Sequence, residues 1–332
     1  MSLRVEAPGL LTTLQDAGRE GCRHLGVGRA GALDAWSHAV ANLLVGNPST
    51  APALEVTIAG PRLRFDHAAR IAICGAEIEA RVDADPVPSW RPLAVPRGAT
   101  LSLGACRRGA RAYLAVAGGF RVAQVLGSAS TDLRGGFGGI GGRALATGDV
   151  LHVDEGEHTE ALRIARWWID AEPDVAFDAP VVVRVLAGRD ALSPPAALFA
   201  HEWHVAAASD RQGLRLDGPG LQAADVRERI SEPVAPGTIQ LPPDGHPIVL
   251  LADAQTHGGY PRIGHAIRAD WPRLAQLRPG DALRFSPCSR EDALHAWRAR
   301  CQRLARVELA IRGRLAAGDV WRASVARHSA SA

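Results

Sequence analysis

Hydrophobic and polar positions change over in short runs along most of the chain. ALEVTIAGPRLRF (53–65), RIAICGAEIEARV (70–82), ATLSLGA (99–105) and RAYLAVAGG (111–119) are rich in aliphatic and β-branched residues and are bounded by Gly or Pro. That is the pattern of strands closed by turns. A turn-plus-strand phrase recurs as VPRGATLSL (95–103), LATGDVLHV (145–153) and LRPGDALRF (277–285). Each has glycine at the turn and alternating apolar residues after it. Evenly spaced short strands with such turns predict a barrel or sandwich.

Helical periods are fewer. LDAWSHAVANLLVG (33–46) has Asp34 as N-cap and Gly46 as a stop, with Trp36, Val40, Leu43 and Leu44 on one face. SPPAALFAHEW (193–203) is a short second helix. From Ser289 a long amphipathic helix carries Leu294, Trp297, Cys301 and Leu304 on one stripe. The predicted fold is mainly β with a few helices. Residues 1–155 and 181–288 form two β-rich halves joined by a connection at 156–180, and 289–332 hold the helix and a disordered tail, SVARHSASA.

The chain has 332 residues, enough for two domains at about 100–200 residues each. Its net charge of +3 and lack of a basic tract argue against nucleic acid. All 38 basic residues in the Lys+Arg count are arginine. Without lysine there is no P-loop or kinase-type phosphate lysine, no Schiff base and no covalently attached biotin. ATP or biotin chemistry would therefore be supplied by a partner. Five scattered cysteines without CxxC spacing predict reduced thiols and no zinc site. With no signal core and no run of about 18 apolar residues, the chain reads as soluble and cytoplasmic, without a membrane segment.

Several stretches carry dense polar chemistry. GGFGGIGG (135–142) contains G-x-G-x-x-G, but a turn and strand follow it, so it reads as a flexible loop rather than a dinucleotide site. HEWH (201–204) lacks the i, i+4 spacing of a helical metal site. TTLQDAGREG (12–21), GSASTDLRGG (127–136) and ASDRQGLRL (208–216) each gather polar residues at turns or strand ends. PIVLLADAQTHGGYP (247–261) ends a core strand in Asp253, Gln255, Thr256, His257, two glycines and Tyr260. A rigid strand is a good mount for a positioned set of polar groups.

These segments, with GALDAWSHAVANLLVGN, LEVTIAGPRLRF, YLAVAGGF, GRALATGDVL and RLAQLRPGDALRF, occur in the order found in one family. Over about residues 3–287 the chain resembles the biotin-dependent carboxyltransferase family that includes allophanate hydrolase subunit 2 and the C subunit of 5-oxoprolinase. The resemblance implies a cyclophilin-like β-barrel architecture. It also implies a partner like allophanate hydrolase subunit 1, and an active site near their junction. Three departures fall inside motifs. Ala30-Gly31-Ala32-Leu33-Asp34 stands for Ser-Gly-Ala-Met-Asp, Ala129 for an arginine, and Ala254 and His257 for an arginine and a threonine.

The implied activity is ATP-dependent hydrolysis of 5-oxoproline to glutamate, in a complex with that partner and a third subunit. One alternative is carboxyl transfer to urea or a similar small amide from carboxybiotin on a separate carrier. Another is a regulatory protein that binds a kinase-inhibitor-like partner. By residue type, Asp16, Asp253 and Gln255 are the expected catalytic groups. Gln15, Thr256 and Tyr260 would orient substrate, alongside Ser128 and Thr131. Arg19 or Arg211 would meet its carboxylate. Gly118, Gly119, Gly258 and Gly259 would offer backbone N–H groups to an oxyanion. No metal ligand set and no covalent cofactor is expected.

Overall fold

The computed structural model describes residues 1–154, 159–170, 180–225, 230–317 and 321–323. Parts of the expected connection, and the tail from 324, lie outside them. Strand outweighs helix among the described residues, and most of it lies in two β bodies.

The first is an eleven-stranded sheet. Its spine is the antiparallel pair Ala69–Val82 and Thr100–Val116. The second of these runs through both of the separate segments predicted at 99–105 and 111–119. The intervening CRRG looks like a break because it is polar, yet it continues a hairpin arm on which Arg107 pairs with Glu79 at 3.0 Å. Bulges at Gly75–Ala80 absorb the register shifts. Conversely, 53–65 divides into Ala53–Thr57 and Arg62–Phe65. The three echoed turns behave as one motif, with Gly98, Gly148 and Gly280 at φ 83°, 92° and 88°, a left-handed backbone that favours glycine.

Burial along Ala69–Val82 shows how the sheet is covered. Ile71 and Ile73 face a large aliphatic core with Leu54, Leu63, Phe65 and Leu114. Ala72 and Cys74 face the other way, against helix α1 (Ala35–Leu44). From Glu77 onward the strand alternates exposed and buried, because α1 no longer covers it. Small residues at Ala72, Ala115 and Ala117 let α1 lie close. Nine of its ten residues are buried, so the expected single apolar face is only part of what it hides.

The second body is a closed seven-stranded barrel. Its members are Val181–Ala187, Glu202–Val205, Gly213–Asp217, Thr238–Gln240, Ile248–Leu250, Arg262–Ala266 and Ala282–Pro287. Only the first and last pair in parallel. Trp203, Val183, Leu216, Ile239, Val249 and Phe285 fill it, and Leu33 from the entrance of α1 joins this core. The mainly-β, barrel expectation therefore holds. The short helix expected at 193–203 is one turn, α2 (Ala197–Ala200), since His201 turns extended and Glu202 begins a strand. A further short helix, α3 (Trp271–Ala275), is too brief to show a helical period in the sequence.

Helix α4 (Arg290–Ala316) starts at an N-cap where Ser289 accepts from Asp292 N. Its buried face differs from the expected stripe. Leu294 is 47 % exposed and Cys301 is exposed, whereas Leu304, Val307, Ile311 and Leu315 pack on α1. After α4, Trp321–Ala323 pairs with Arg163–Ala165 at the sheet edge. No helix among the described residues is long and apolar enough to cross a membrane. Ile311 is fully buried and Leu309 is 74 % exposed. Ile311→Ala should lower stability by about 2–4 kcal/mol, and Leu309→Ala by less than about 0.5 kcal/mol, as read by urea denaturation.

Candidate functional site

Where the sheet meets the barrel, a chain of buried polar groups joins them. Glu55 lies directly across from Tyr113 in the sheet. Its carboxylate accepts from Tyr113 Oη at 2.8 Å and Leu33 N at 2.9 Å, and from Arg211 Nη1 of the barrel. Arg211 also forks onto Asp253, with Nε–Oδ2 at 2.8 Å and Nη2–Oδ1 at 2.9 Å, and donates to Gly31 O at 2.8 Å. Asp253 is placed beside Arg211 because residues 211–215 run antiparallel to 248–253. On the far side Asp34, the N-cap of α1, accepts from Gln276 Nε2 at 2.8 Å, and its N–H donates to Tyr113 Oη.

The electrostatics follow from burial and partners. Burial raises the Glu55 carboxyl, but Arg211 and Arg111 outweigh it and hold it below the ordinary value. Burial raises Asp253, and Arg211 offsets only part of that. For Arg211, burial acts against the charge, yet Asp253 and Glu55 prevail and raise its pKa.

A second knot surrounds Asp16. One of its carboxylate oxygens accepts from Gly18 N, Ser128 Oγ and Ser130 Oγ at 2.8, 2.7 and 2.6 Å, and the other from Ala129 N at 2.7 Å. Burial raises this carboxyl, but the four donors prevail and lower it. Arg19 is 1 % exposed, donates to Val125 O and Ser130 O, and stacks over Phe137 at 4.7 Å. Its Nη1 has no partner among the described residues. The glycine-rich loop wraps this arginine. A Cβ at Gly138 would lie 2.4 Å from Arg19 Nη2, and one at Gly139 1.9 Å from Thr131 Oγ1. These glycines permit close approach to Arg19, and no phosphate cradle is built.

The third group is the end of the 248–250 strand. Gln255 Nε2 donates to Gln240 Oε1 at 3.2 Å, and Gln255 O accepts from Arg23 Nη2 at 3.2 Å. Both neighbours keep an unpartnered buried donor, Gln240 Nε2 and Arg23 Nη1. Thr256 Oγ1 lies 2.9 Å from His257 Nδ1. Nearby, a Cβ at Gly28 would lie 3.5 Å from Ala254 O and 4.0 Å from Asp132 Oδ2. Bare backbone thus faces a carboxylate and a carbonyl.

The sequence-predicted residues separate by what their polar atoms do. Gln15 is wholly engaged, donating to Thr13 and Thr131 O and accepting from Gly31 N. Ser128 and Thr131 hold the Asp16 knot and Leu14 O. Arg211 is committed to Asp253 and Glu55. The N–H of Gly118 goes to Asn47 Oδ1 at 2.9 Å and that of Gly119 to Val116 O at 3.0 Å, so both already have acceptors. Gly258 pairs with Glu232 in a two-stranded ribbon. Tyr260 is 46 % exposed, and Gly259 is exposed beside it. The two alanines at motif arginine positions are buried. Ala129 sits in the sheet core, and Ala254 packs with Val234 and Leu250.

Glu55, Arg23 and Gln240 lie in this polar junction although residue type and motif did not single them out, and Asp132, from the GSASTDLRGG stretch, lies beside Gly28. Glu55 has a visible signal, an acid between Leu54 and Val56 in a core strand. Arg23 has none.

Arg211→Met would strand two buried carboxylates, and should cost about 3–5 kcal/mol in denaturant titration. Asp16 has a folded-state pKa below its ordinary 3.8, so the unfolded chain protonates first. Its contribution is full above pH 3.8 and is lost as pH falls through the folded value. Asp16→Asn should therefore lower stability at neutral pH and flatten the curve below pH 3.8.

The chain as a whole is similar to known proteins. The chain is 39 % identical over 307 residues to the C subunit of Escherichia coli 5-oxoprolinase, covering 89 % of this chain and 94 % of that one. The C subunit of Haemophilus influenzae 5-oxoprolinase is 37 % identical, over 85 % of this chain and 89 % of its own. Saccharomyces cerevisiae urea amidolyase is 31 % identical over 88 % of this chain but only 17 % of its own. The crystal structure of the K. lactis urea amidolyase superposes with a TM-score of 0.83 at 30 % identity, over 92 % of this chain and 20 % of that one. Residues 25–287 match the carboxyltransferase domain, subdomain A and B, and the chain belongs to that family.

Proposed function

We propose that this chain is the C-type subunit of an ATP-dependent 5-oxoprolinase complex that hydrolyses 5-oxoproline to glutamate. The observation that carries the reading is the end-to-end correspondence with the C subunit of 5-oxoprolinase. The urea amidolyases correspond over a small part of their length. The lysine-free sequence favours partners that handle ATP, one like allophanate hydrolase subunit 1 and a third subunit.

Lactam hydrolysis adds water to the ring carbonyl and breaks the C–N bond, and the amine leaves with a proton. In this reading Asp253, raised by burial and aimed by the Arg211 fork, takes the proton from water. Arg211 positions that base and does not touch substrate. Gln240 Nε2 and Arg23 Nη1, the unpartnered donors flanking Gln255, meet the carbonyl oxygen as it gains charge. Arg19 Nη1 meets the substrate carboxylate. Thr256, His257 and Tyr260 line the approach. Asp16, saturated with donors, shapes the wall.

Carboxyl transfer from carboxybiotin on a separate carrier is the second reading, favoured by the superposition on urea amidolyase. It would use the same donors on the ureido oxygen.

The test is glutamate release from 5-oxoproline and ATP, with this chain alone and with its partner subunits co-expressed. Activity in the mixture alone is expected. Asp253→Asn in the assembled complex should cut kcat by about 10²–10⁴ with folding intact by circular dichroism. A stable, folded complex that releases no glutamate but carboxylates urea from a biotin carrier would replace this reading with the second.

A further inference from the structure

A pocket outside the polar site lies between α1, α3 and the first half of α4. Its volume is about 100 Å³, and Trp36, Trp271, Trp297, Arg268 and Cys301 line it with Leu33. It forms where the apolar packing of α4 on α1, through Leu304, Val307, Ile311 and Leu315, runs out. Toward its N-terminus α4 presents Trp297 across a gap, while Arg300 and Arg303 lie over the Trp36 ring at 5.7 and 5.5 Å.

Three observations make this more than loose packing. First, the size is on the scale of the ~150 Å³ engineered cavity that admits benzene. Second, the walls suit a flat ring. Trp271 and Trp297 offer indole faces, and Arg268, itself exposed, stacks over Trp297 at 4.4 Å and Trp271 at 5.9 Å. Planar aromatic bodies stack on such surfaces, and guanidinium prefers a carboxylate. Third, Trp36 is 3 % exposed, yet its indole N–H has no acceptor among the described residues. A buried unpaired donor is costly, and an acceptor oxygen in the pocket would remove that cost.

We propose that this pocket binds a small planar aromatic carboxylate, its ring among the three tryptophans and its carboxylate between Arg268 and the Trp36 indole N–H. The back wall is the segment around Leu33, whose inner side serves the polar junction. Gly31 O accepts from Arg211, Leu33 N donates to Glu55, and Ala32 N donates to Asp16 O. An occupant would hold that wall from outside. The proposal is independent of the assigned reaction.

Benzoate is the probe, with benzamide as its neutral counterpart, titrated into the full chain. Tryptophan fluorescence should change saturably with benzoate, and benzamide should bind about tenfold more weakly, a difference of about 1.4 kcal/mol. Arg268→Gln, at an exposed position, should bring benzoate down to the benzamide level. Iodoacetamide should alkylate Cys301 more slowly at saturation, with Cys22 unaffected. No saturation by about 10 mM benzoate, well above the 1 mM that corresponds to about −4.1 kcal/mol, would overturn the proposal. So would equal binding of the two probes, or an unchanged affinity in Arg268→Gln.

Discussion

The structure depends on one buried carboxylate. Glu55 lies in the middle of a core strand, between Leu54 and Val56, where an unpaired charge would cost several kcal/mol. Its own sheet supplies Tyr113 Oη and the nearby charge of Arg111, and the neighbouring loop supplies Leu33 N. The direct ion-pair partner, Arg211, comes from the barrel. Docking the second β body on the first is therefore what pairs this carboxylate. Arg211 then imports Asp253, and Gly31 O is fixed by the same guanidinium. Docking and the placement of the candidate base are a single event.

Around that junction the backbone follows suit. The 29–32 segment is held on both sides, through Arg19 N to Arg29 O, Ala32 N to Asp16 O and Ala30 N to Ala252 O. Gly31, at φ 89°, would put a Cβ 2.8 Å from Gly18 Cα, so no side chain fits. Asp16 is the second anchor of this segment, and its four donors make it a structural acceptor with little capacity to take protons. The donors left over among the described residues, on Arg19, Arg23 and Gln240, are buried at the edge of this framework. An array of preset donors is what a site needs to recognise developing negative charge.

Several strands of the sheet, the N-cap at Asp34, the long terminal helix and the polar strand end at 253–260 were legible in the sequence, whereas the start of Glu202–Val205 reads as helix. Each legible element is a local pattern of period, turn or cap. What was not legible was which polar side chains are already satisfied. Asp16 and Asp253 look alike as motif acids, but one meets four donors from residues 18 and 128–130, and the other meets an arginine 42 residues earlier. Gly118 and Gly119 look like oxyanion donors until Asn47 and Val116 are seen to accept from them. Conversely, Gln240 sits in an unremarkable TIQ strand and owes its free Nε2 to the contact with Gln255 and the missing Cβ of Gly258, 2.5 Å away. The stripe expected on helix α4 differs from its buried face for the same reason. Sequence spacing defines a stripe, while the surface the helix packs on is set by α1.

The alanines at motif arginine positions bear on specificity through the same reasoning. Ala129 keeps its backbone role, since its N–H still binds Asp16, but its side chain lies in the sheet core. Ala254 lies against Val234 and Leu250, with its carbonyl turned toward Gly28. Neither position brings a positive charge to the site. The cations near it include Arg19, Arg23, Arg111 and Arg211. Arg211 is consumed by Glu55 and Asp253, and Arg111 lies against Glu55. In the proposed reading an anionic substrate is therefore met by Arg19 and Arg23, which stand close together in the chain but lean on opposite bodies. Arg19 is held by Ser130 and Val125 on the sheet side, and Arg23 by Val234 and Gln255 on the barrel side. A ligand that bridges them pulls on both bodies. That puts recognition on the same junction that Glu55 and Arg211 already hold closed.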